Sequence, residues 1–159
     1  MTLIRALYDS ESITTIEVIP EFIFPFAASD DMITELQTLI RMTENLQELD
    51  LSKKGLTASS CAALLEAFRE SGSVNNLESL PELDKGISST HEVVQQLVEL
   101  IKVSENLKVC DFRGMHLTES ATASLLTAMI ESESIKHLKH LPMVDKEVCS
   151  TDRVITVLP

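Results

Sequence analysis

The chain has 159 residues, 44% of them hydrophobic and 24% charged, and it carries a formal net charge of −12. This composition predicts one soluble globular domain, and the acidic balance argues against nucleic acid and anionic membranes, which are bound through clustered Lys and Arg. No apolar run of about 18 residues is present, so a membrane-spanning helix is not expected.

The first distinctive stretch is FIFPF at residues 22–26. If they are exposed, Phe22, Phe24 and Phe26 form an aromatic patch on which a partner docks. The alternative is a loop that folds over and shields one end of the core. Asp30 and Asp31 follow at a predicted helix start, where carboxylates interact favourably with the helix dipole.

Residues 46–68 predict a strand followed by a helix. In LQELDLS, Leu49 and Leu51 alternate with polar residues, which is the period of two that a half-buried strand requires. Thr57 is then placed to cap a helix whose apolar positions recur at spacings of three and four. These positions are Cys61, Leu64, Leu65 and Phe68. Farther along the chain, Ser89 and Glu92 have the spacing of a capping box and predict the start of another helix. Its apolar core positions are Val93, Val94, Leu97, Leu100 and Ile101.

The sequence repeats itself at a fixed offset, so the later segments predict the same elements. Five columns are identical in three copies: Leu3, Leu64 and Leu125; Ala6, Ala67 and Ala128; Ser10, Ser71 and Ser132; Ser12, Ser73 and Ser134; Pro20, Pro81 and Pro142. A finer apolar period, half as long as this offset, divides each copy into two units, which start near residues 16, 46, 77, 107 and 138. Periods of this size are typical of arrays in which each unit packs only against its neighbours.

The pattern L-x-x-L-x-L-x-x-N-x-L matches two of these units. The matching positions are Leu46, Leu49, Leu51 and Leu56, and then Leu107, Cys110, Phe112 and Leu117. On these residues the chain resembles the leucine-rich repeat proteins of the long helical, ribonuclease inhibitor-like kind, such as tropomodulin and the repeat regions of NOD-like receptors. The resemblance implies an α/β solenoid of about five strand–turn–helix units, with a parallel inner sheet and outer helices.

Two departures qualify this resemblance. Lys54 and Met115 stand in the asparagine column of the family, so the turns after the strands must satisfy their backbone groups in another way. The proline column should end alternate strands early, because proline cannot donate to a sheet. Since both ends of the sequence cut through a predicted helix, we expect residues 1–159 to be one domain from a longer repeat array.

Catalytic and metal-binding motifs are incomplete, so we expect a non-enzyme without cofactors. His91 and Glu92 begin an HExxH-like stretch that lacks the second histidine, and His137 and His140 would point to opposite faces of a strand. The three cysteines, Cys61, Cys110 and Cys149, form no CxxC pair. This pattern argues against a disulfide framework or a zinc site and predicts a reducing, cytoplasmic location.

The predicted function is a non-catalytic protein–protein interaction module. The resemblance implies the ligand-sensing or regulatory region of an intracellular receptor of innate immunity, or alternatively an actin-binding cytoskeletal scaffold. The predicted partner-binding residues of the concave face are Glu48, Asp50, Ser52, Asp111, Arg113 and His140. Their acidic centre suits a partner with a basic surface, but it also fits the ordinary solvated side of a sheet.

Overall fold

The computed structural model describes residues 29–145. This part of the chain contains five α-helices and two short 3₁₀ helices. The α-helices are α1 (Asp30–Arg41), α2 (Ala58–Arg69), α3 (Lys85–Ser88), α4 (His91–Val103) and α5 (Glu119–Glu131), and the 3₁₀ helices are Gly72–Asn76 and Glu133–Lys136. The predicted aromatic patch of Phe22, Phe24 and Phe26 lies outside the described residues, as does the predicted unit start near residue 16.

The four longer helices pack side by side in the order α1, α2, α4, α5. Between and after them run four connectors, which we number along the chain. The first connector is residues 42–57, the second is 70–84, the third is 104–118 and the fourth is 132–145. Each connector lies beside the next one along the chain.

Threonine and serine side chains fix the starts of three helices. Ser29 accepts a hydrogen bond from the Met32 N–H at α1, and Thr57 does the same for the Ser60 N–H at α2. At α5, Thr118 accepts from the Ala121 N–H. These bonds satisfy donors that the first helical turn leaves unpaired.

One predicted helix start is wrong. The cap of α4 is Thr90 and not Ser89, and its hydroxyl donates back to the Ile87 carbonyl instead of capping the helix. Ser89 is instead the C-cap of the short helix α3, which ends at Ser88.

The core lies between the helices and the connectors. The apolar positions predicted for α2, from Cys61 to Phe68, are all buried, and those of α4 are buried as well. Each side chain of this size contributes roughly 1.5–3 kcal/mol when it is removed from water. The period of three and four therefore correctly identified the inward faces of α2 and α4.

The predicted α/β solenoid and the resemblance to leucine-rich repeat proteins are wrong. Across residues 29–145 the structure is helical and contains no strand and no sheet. Within the described residues, strand-like pairing between neighbouring connectors is limited to isolated parallel bridges, each one residue long, at Asp50–Glu82, Ser79–Val109 and Asp111–Met143. The grounds for expecting an innate immune receptor or an actin-binding scaffold therefore no longer hold.

The backbone of the second connector shows why no sheet forms. The Glu78 carbonyl accepts hydrogen bonds from the third connector, at Lys108 and Val109, whereas the N–H of Glu82 donates to Leu49 of the first connector. Residues 78 and 82 of one strand would bond toward the same neighbour, because the direction alternates with every residue. The backbone must therefore change direction between residues 78 and 82, a stretch that includes Pro81, which has no N–H of its own.

Candidate functional site

The connectors meet in two kinds of junction. We call the contacts of the first with the second connector, and of the third with the fourth, closed junctions. Their bridges, Asp50–Glu82 and Asp111–Met143, occupy equivalent positions in successive copies of the sequence repeat. Two backbone hydrogen bonds accompany each bridge, with N···O distances of 2.9 and 3.2 Å around Glu82 and 2.8 and 3.0 Å around Met143.

An aspartate seals the end of each closed junction. The Asp84 carboxylate accepts the Lys53 N–H at 2.9 Å, and the Asp145 carboxylate accepts the Gly114 N–H at 3.0 Å. In both cases the aspartate reaches back from the following connector to a backbone donor that has left-handed geometry. These aspartates accept the backbone N–H groups of the turns, which have no asparagine at the position where the family pattern has one.

The repeated serine column seals the other end of the closed junctions. The Ser73 hydroxyl accepts the Leu46 N–H at 2.9 Å, and the Ser134 hydroxyl accepts the Leu107 N–H at 3.1 Å. Both serines are fully buried, so the two N–H groups have no access to water. A buried backbone donor needs such a partner, which accounts for the identity of this column.

The contact between the second and third connectors differs, and we call it the open junction. It too has one bridge, Ser79–Val109, beside which the Glu78 carbonyl accepts the Lys108 and Val109 N–H groups at 2.8 and 3.2 Å. Beyond Val109, no backbone hydrogen bond joins the two connectors in the described part of the chain. Ser104 stands in the serine column here, but its hydroxyl donates to the Leu100 carbonyl of its own helix at 2.7 Å. Gly114 stands where the closed junctions have an aspartate, and it has no side chain with which to cap the Asp84 N–H.

A cleft of about 390 Å³ occupies the open junction. Its floor is apolar and includes the half-buried Leu83 and Met115 and the fully buried Leu97 of α4. Its rim is polar and consists of Ser79 and Glu82 on one side and of Asp111 and Arg113 on the other. A floor of this kind with a few polar groups at its edge is typical of a binding site.

Two backbone groups at the cleft have no partner. Within residues 29–145, neither the Leu80 carbonyl nor the Asp111 N–H makes a hydrogen bond to the protein backbone or to a side chain. Both residues line the cleft. At the closed junctions, the carbonyls that correspond to that of Leu80 are paired: Leu49 accepts the Glu82 N–H, and Cys110 accepts the Met143 N–H. The open junction therefore presents one acceptor and one donor that a ligand can satisfy.

Ion pairs neutralise most of the charge near the cleft. The Arg113 guanidinium binds the Asp111 carboxylate through two contacts, at 2.9 and 2.6 Å, and these hydrogen bonds hold the pKa of Asp111 below its ordinary value. Lys108 binds Glu78 in the same way and lowers the pKa of that carboxyl group. Glu82 is exposed and forms no ion pair with any of the described residues.

The six predicted partner-binding residues do not form one site. Asp111 and Arg113 line the cleft, whereas Glu48, Asp50 and Ser52 lie on the first connector, away from it. The Asp50 carboxylate accepts both the N–H and the hydroxyl of Ser52, at 2.8 and 2.7 Å, so it shapes its own turn. Whether any of the six contacts a partner stays a prediction.

His140 lines a different groove, of about 240 Å³, beside α5. That groove includes Ile130 and Leu141, and the Leu141 side chain is 72% exposed. The chain continues from Asp145 into residues outside the described range, and nothing in the structure shows what covers this groove.

Glu82 and Leu97 of the cleft were not among the predicted partner-binding residues. Leu97 had been assigned to the helix core, and Glu82 follows a proline that interrupts the strand pattern. The usable sequence signal was the aspartate column, because Gly114 replaces the aspartate at the junction that lacks a seal. The serine column gives no such signal, since Ser104 is a serine and differs only in its bond partner.

The buried thiols and the possible metal ligands bear on whether the described residues could be reactive. Burial raises the pKa of the Cys61 and Cys110 thiols to about 12, so both remain protonated at neutral pH. In residues 29–145, no three His, Cys, Asp or Glu side chains converge on a point that could hold a metal ion. No helix in this range is both long enough and apolar enough to cross a bilayer.

Comparisons with known proteins add no family to this description: no protein-family model, no curated protein sequence and no solved structure matches the chain.

Proposed function

We propose that the protein is a non-catalytic protein-binding domain and that the cleft of the open junction takes up a segment of its partner. The observation that carries the proposal is the combination of an apolar floor with two unpaired backbone groups, at Leu80 and Asp111. A protein segment supplies the apolar side chains and the backbone hydrogen bonds that such a cleft lacks.

The charge of the chain supports a protein partner over a nucleic acid. The formal net charge is −12, and two cationic side chains beside the cleft, Lys108 and Arg113, are already bound to carboxylates. Phosphate backbones need free, clustered cations. A partner with a basic surface, as expected from the sequence, fits this balance better.

We also infer a cytoplasmic location. Cys61 and Cys110 are free thiols, and both are buried in the core. Reducing compartments favour unpaired cysteines in this situation.

The proposal is tested by affinity capture with the whole chain as bait. The test variant combines Ser79→Trp and Glu82→Arg, two exposed rim positions at which larger side chains cover the cleft without disturbing the core. The matched control is Glu48→Trp, which adds an exposed aromatic residue to the first connector, away from the cleft. Circular dichroism and thermal unfolding confirm that both variants fold.

We expect a partner that the unmodified chain and the control hold and that the cleft variant loses. A partner lost only from the control would indicate that the binding surface lies on the first connector, at the predicted residues Glu48, Asp50 and Ser52. Retention of every partner by the cleft variant would contradict the proposal.

A further inference from the structure

From the geometry of the open junction we infer what the cleft binds: an extended peptide segment in which apolar residues alternate with basic ones. This inference rests on the proposed function, since it specifies the partner of the same cleft. Three features of the cleft carry it, namely its backbone groups, its floor and its one unpaired rim charge.

The backbone groups require an extended ligand. The unpaired Leu80 carbonyl belongs to one wall of the cleft, and the unpaired Asp111 N–H belongs to the other. A helix uses its own N–H and C=O groups internally, so it cannot pair with them, whereas an extended segment presents both. Its N–H donates to the Leu80 carbonyl, or its carbonyl accepts from the Asp111 N–H.

The alternation of side chains follows from the two faces of the cleft. Successive side chains of an extended segment point in opposite directions. One set points to the floor, where Leu83, Leu97 and Met115 form an apolar surface. The other set points outward to the rim. The first set is therefore apolar, because burying a polar group on this floor without a partner is unfavourable.

The rim determines the charge of the outward set. Asp111 is already neutralised by the two bonds from Arg113. Glu82 is the rim carboxylate that forms no ion pair with residues 29–145, and its side chain is exposed. A Lys or Arg of the bound segment gives it a partner, which adds little affinity at an exposed site but selects against acidic segments.

Peptide probes of defined chemistry test the inference. The parent probe is an acetylated, amidated and fluorescently labelled seven-residue peptide of alternating valine and lysine. A second probe replaces lysine by glutamate. Two further probes carry N-methyl groups on alternate amides, one probe for each register, which removes the backbone donors of one edge and leaves the charge unchanged. Comparing the two registers controls for the added methyl groups.

Binding to the full chain is measured by fluorescence anisotropy. We expect the lysine probe to bind and the glutamate probe to bind at least about tenfold more weakly, since the latter meets Glu82 and the net negative charge. One N-methylated register should weaken binding by about tenfold, because it leaves the Leu80 carbonyl unpaired, while the other register has a smaller effect.

A matched pair of protein variants separates the cleft from general attraction to an acidic protein. Glu82→Gln and Glu48→Gln each remove one exposed carboxylate and change the net charge equally. We expect Glu82→Gln to weaken binding of the lysine probe by about two- to fivefold and Glu48→Gln to leave it nearly unchanged. Equal effects of the two variants would overturn the inference, as would equal binding of both registers.

The same measurements distinguish the failure of the inference from failure of the proposed function. The first case is that no probe binds to the cleft, but the variant that combines Ser79→Trp with Glu82→Arg still loses a captured partner. The cleft then binds a segment of other chemistry, and only the inference is wrong. If the probes do not bind and the variant also retains its partners, both are wrong.

Discussion

The closed and open junctions are made by the same kind of connector, yet only the closed junctions are sealed by side chains. In the closed junctions a buried serine and an aspartate each bind a backbone N–H of the preceding connector, at Leu46 and Lys53 in the first copy. At the open junction the serine turns back to its own helix and a glycine replaces the aspartate. Two side chains thus decide whether neighbouring connectors close or leave a cleft.

This difference also shows what the long sequence repeat means physically. The closed junction recurs at the offset of the repeat, because the bond from Lys53 to Asp84 is reproduced by the bond from Gly114 to Asp145. The cleft lies between these two closed junctions, where the second connector meets the third. The closed junctions are held by backbone and serine bonds, whereas the cleft that we propose as the binding site lacks them.

The largest test of the comparison is a pair of core truncations. Leu97→Ala truncates one of the side chains that form the cleft floor. Leu64→Ala truncates a fully buried leucine of α2 that does not line the cleft. Substitutions of this kind cost about 2–5 kcal/mol in unfolding free energy, and the cost grows with the cavity that remains. We expect Leu97→Ala at the lower end, since the space opens into the cleft. Urea denaturation measures both, and an equal or greater cost for Leu97→Ala would mean that the open junction is packed as tightly as the core.

The serine column gives the next largest effect. Ser73→Ala leaves the buried Leu46 N–H without a partner, which costs about 1–3 kcal/mol. Ser104→Ala removes only a hydroxyl that donates to a carbonyl already bonded within the helix end, so we expect a loss of about 1 kcal/mol or less. Ser134→Ala serves as the matched repeat of Ser73→Ala. Equal losses at Ser73 and Ser104 would show that the serines do not distinguish the two kinds of junction.

Helix positions and the core faces of α2 and α4 could be predicted from the sequence, because a period of three and four directly reports which side of a helix is buried. The strand prediction failed for a physical reason. In LQELDLS the alternation correctly placed Leu49 and Leu51 inside and Asp50 outside, but alternation says nothing about hydrogen bonding. The second connector bonds to the third at Glu78 and to the first at Glu82, with Pro81 between them. Each contact is therefore limited to one bridge, and no continuous strand forms in the described part of the chain.

The cleft was only partly predictable. Asp111 and Arg113 were among the predicted residues because they alternate with buried neighbours, which is a local property. The cleft floor at Leu97 and the unpaired carbonyl of Leu80 depend on how the second and third connectors pack against each other. No local sequence pattern reports this packing. The absence of a side chain at Gly114 was visible in the sequence, but its consequence became clear only once Asp84 and Asp145 were seen to cap backbone N–H groups.

The sealing turns offer a smaller test, because the two copies use different residues at the same backbone geometry. Lys53 and Gly114 both have positive φ, at 56° and 73°. Lys53→Gly should stabilise the fold by up to about 1 kcal/mol, since it removes the strain of a left-handed lysine. Gly114→Ala should destabilise it by about 1 kcal/mol through backbone strain alone, since the added Cβ would lie 3.7 Å from the nearest Lys85 atom, an ordinary contact. Thermal unfolding distinguishes these opposite signs, and a stabilising Gly114→Ala would contradict the assigned turn.

The smallest expected effect concerns the titration of Asp111 at the cleft rim. The Arg113 hydrogen bonds lower the pKa of this carboxyl group below its ordinary value of 3.8. The ion pair therefore stabilises the fold fully above that ordinary value, and the contribution is lost as the pH falls through the lowered pKa. Because both side chains are more than one third exposed, the effect on unfolding should be small, and the carboxyl resonance in an NMR titration is the more sensitive measure. Arg113→Ala should raise the pKa of Asp111 toward its ordinary value, while Arg113→Lys should raise it less. An unchanged pKa in Arg113→Ala would mean that Asp111 is not held by this pair, and its carboxylate would then be free to bind a basic partner alongside Glu82.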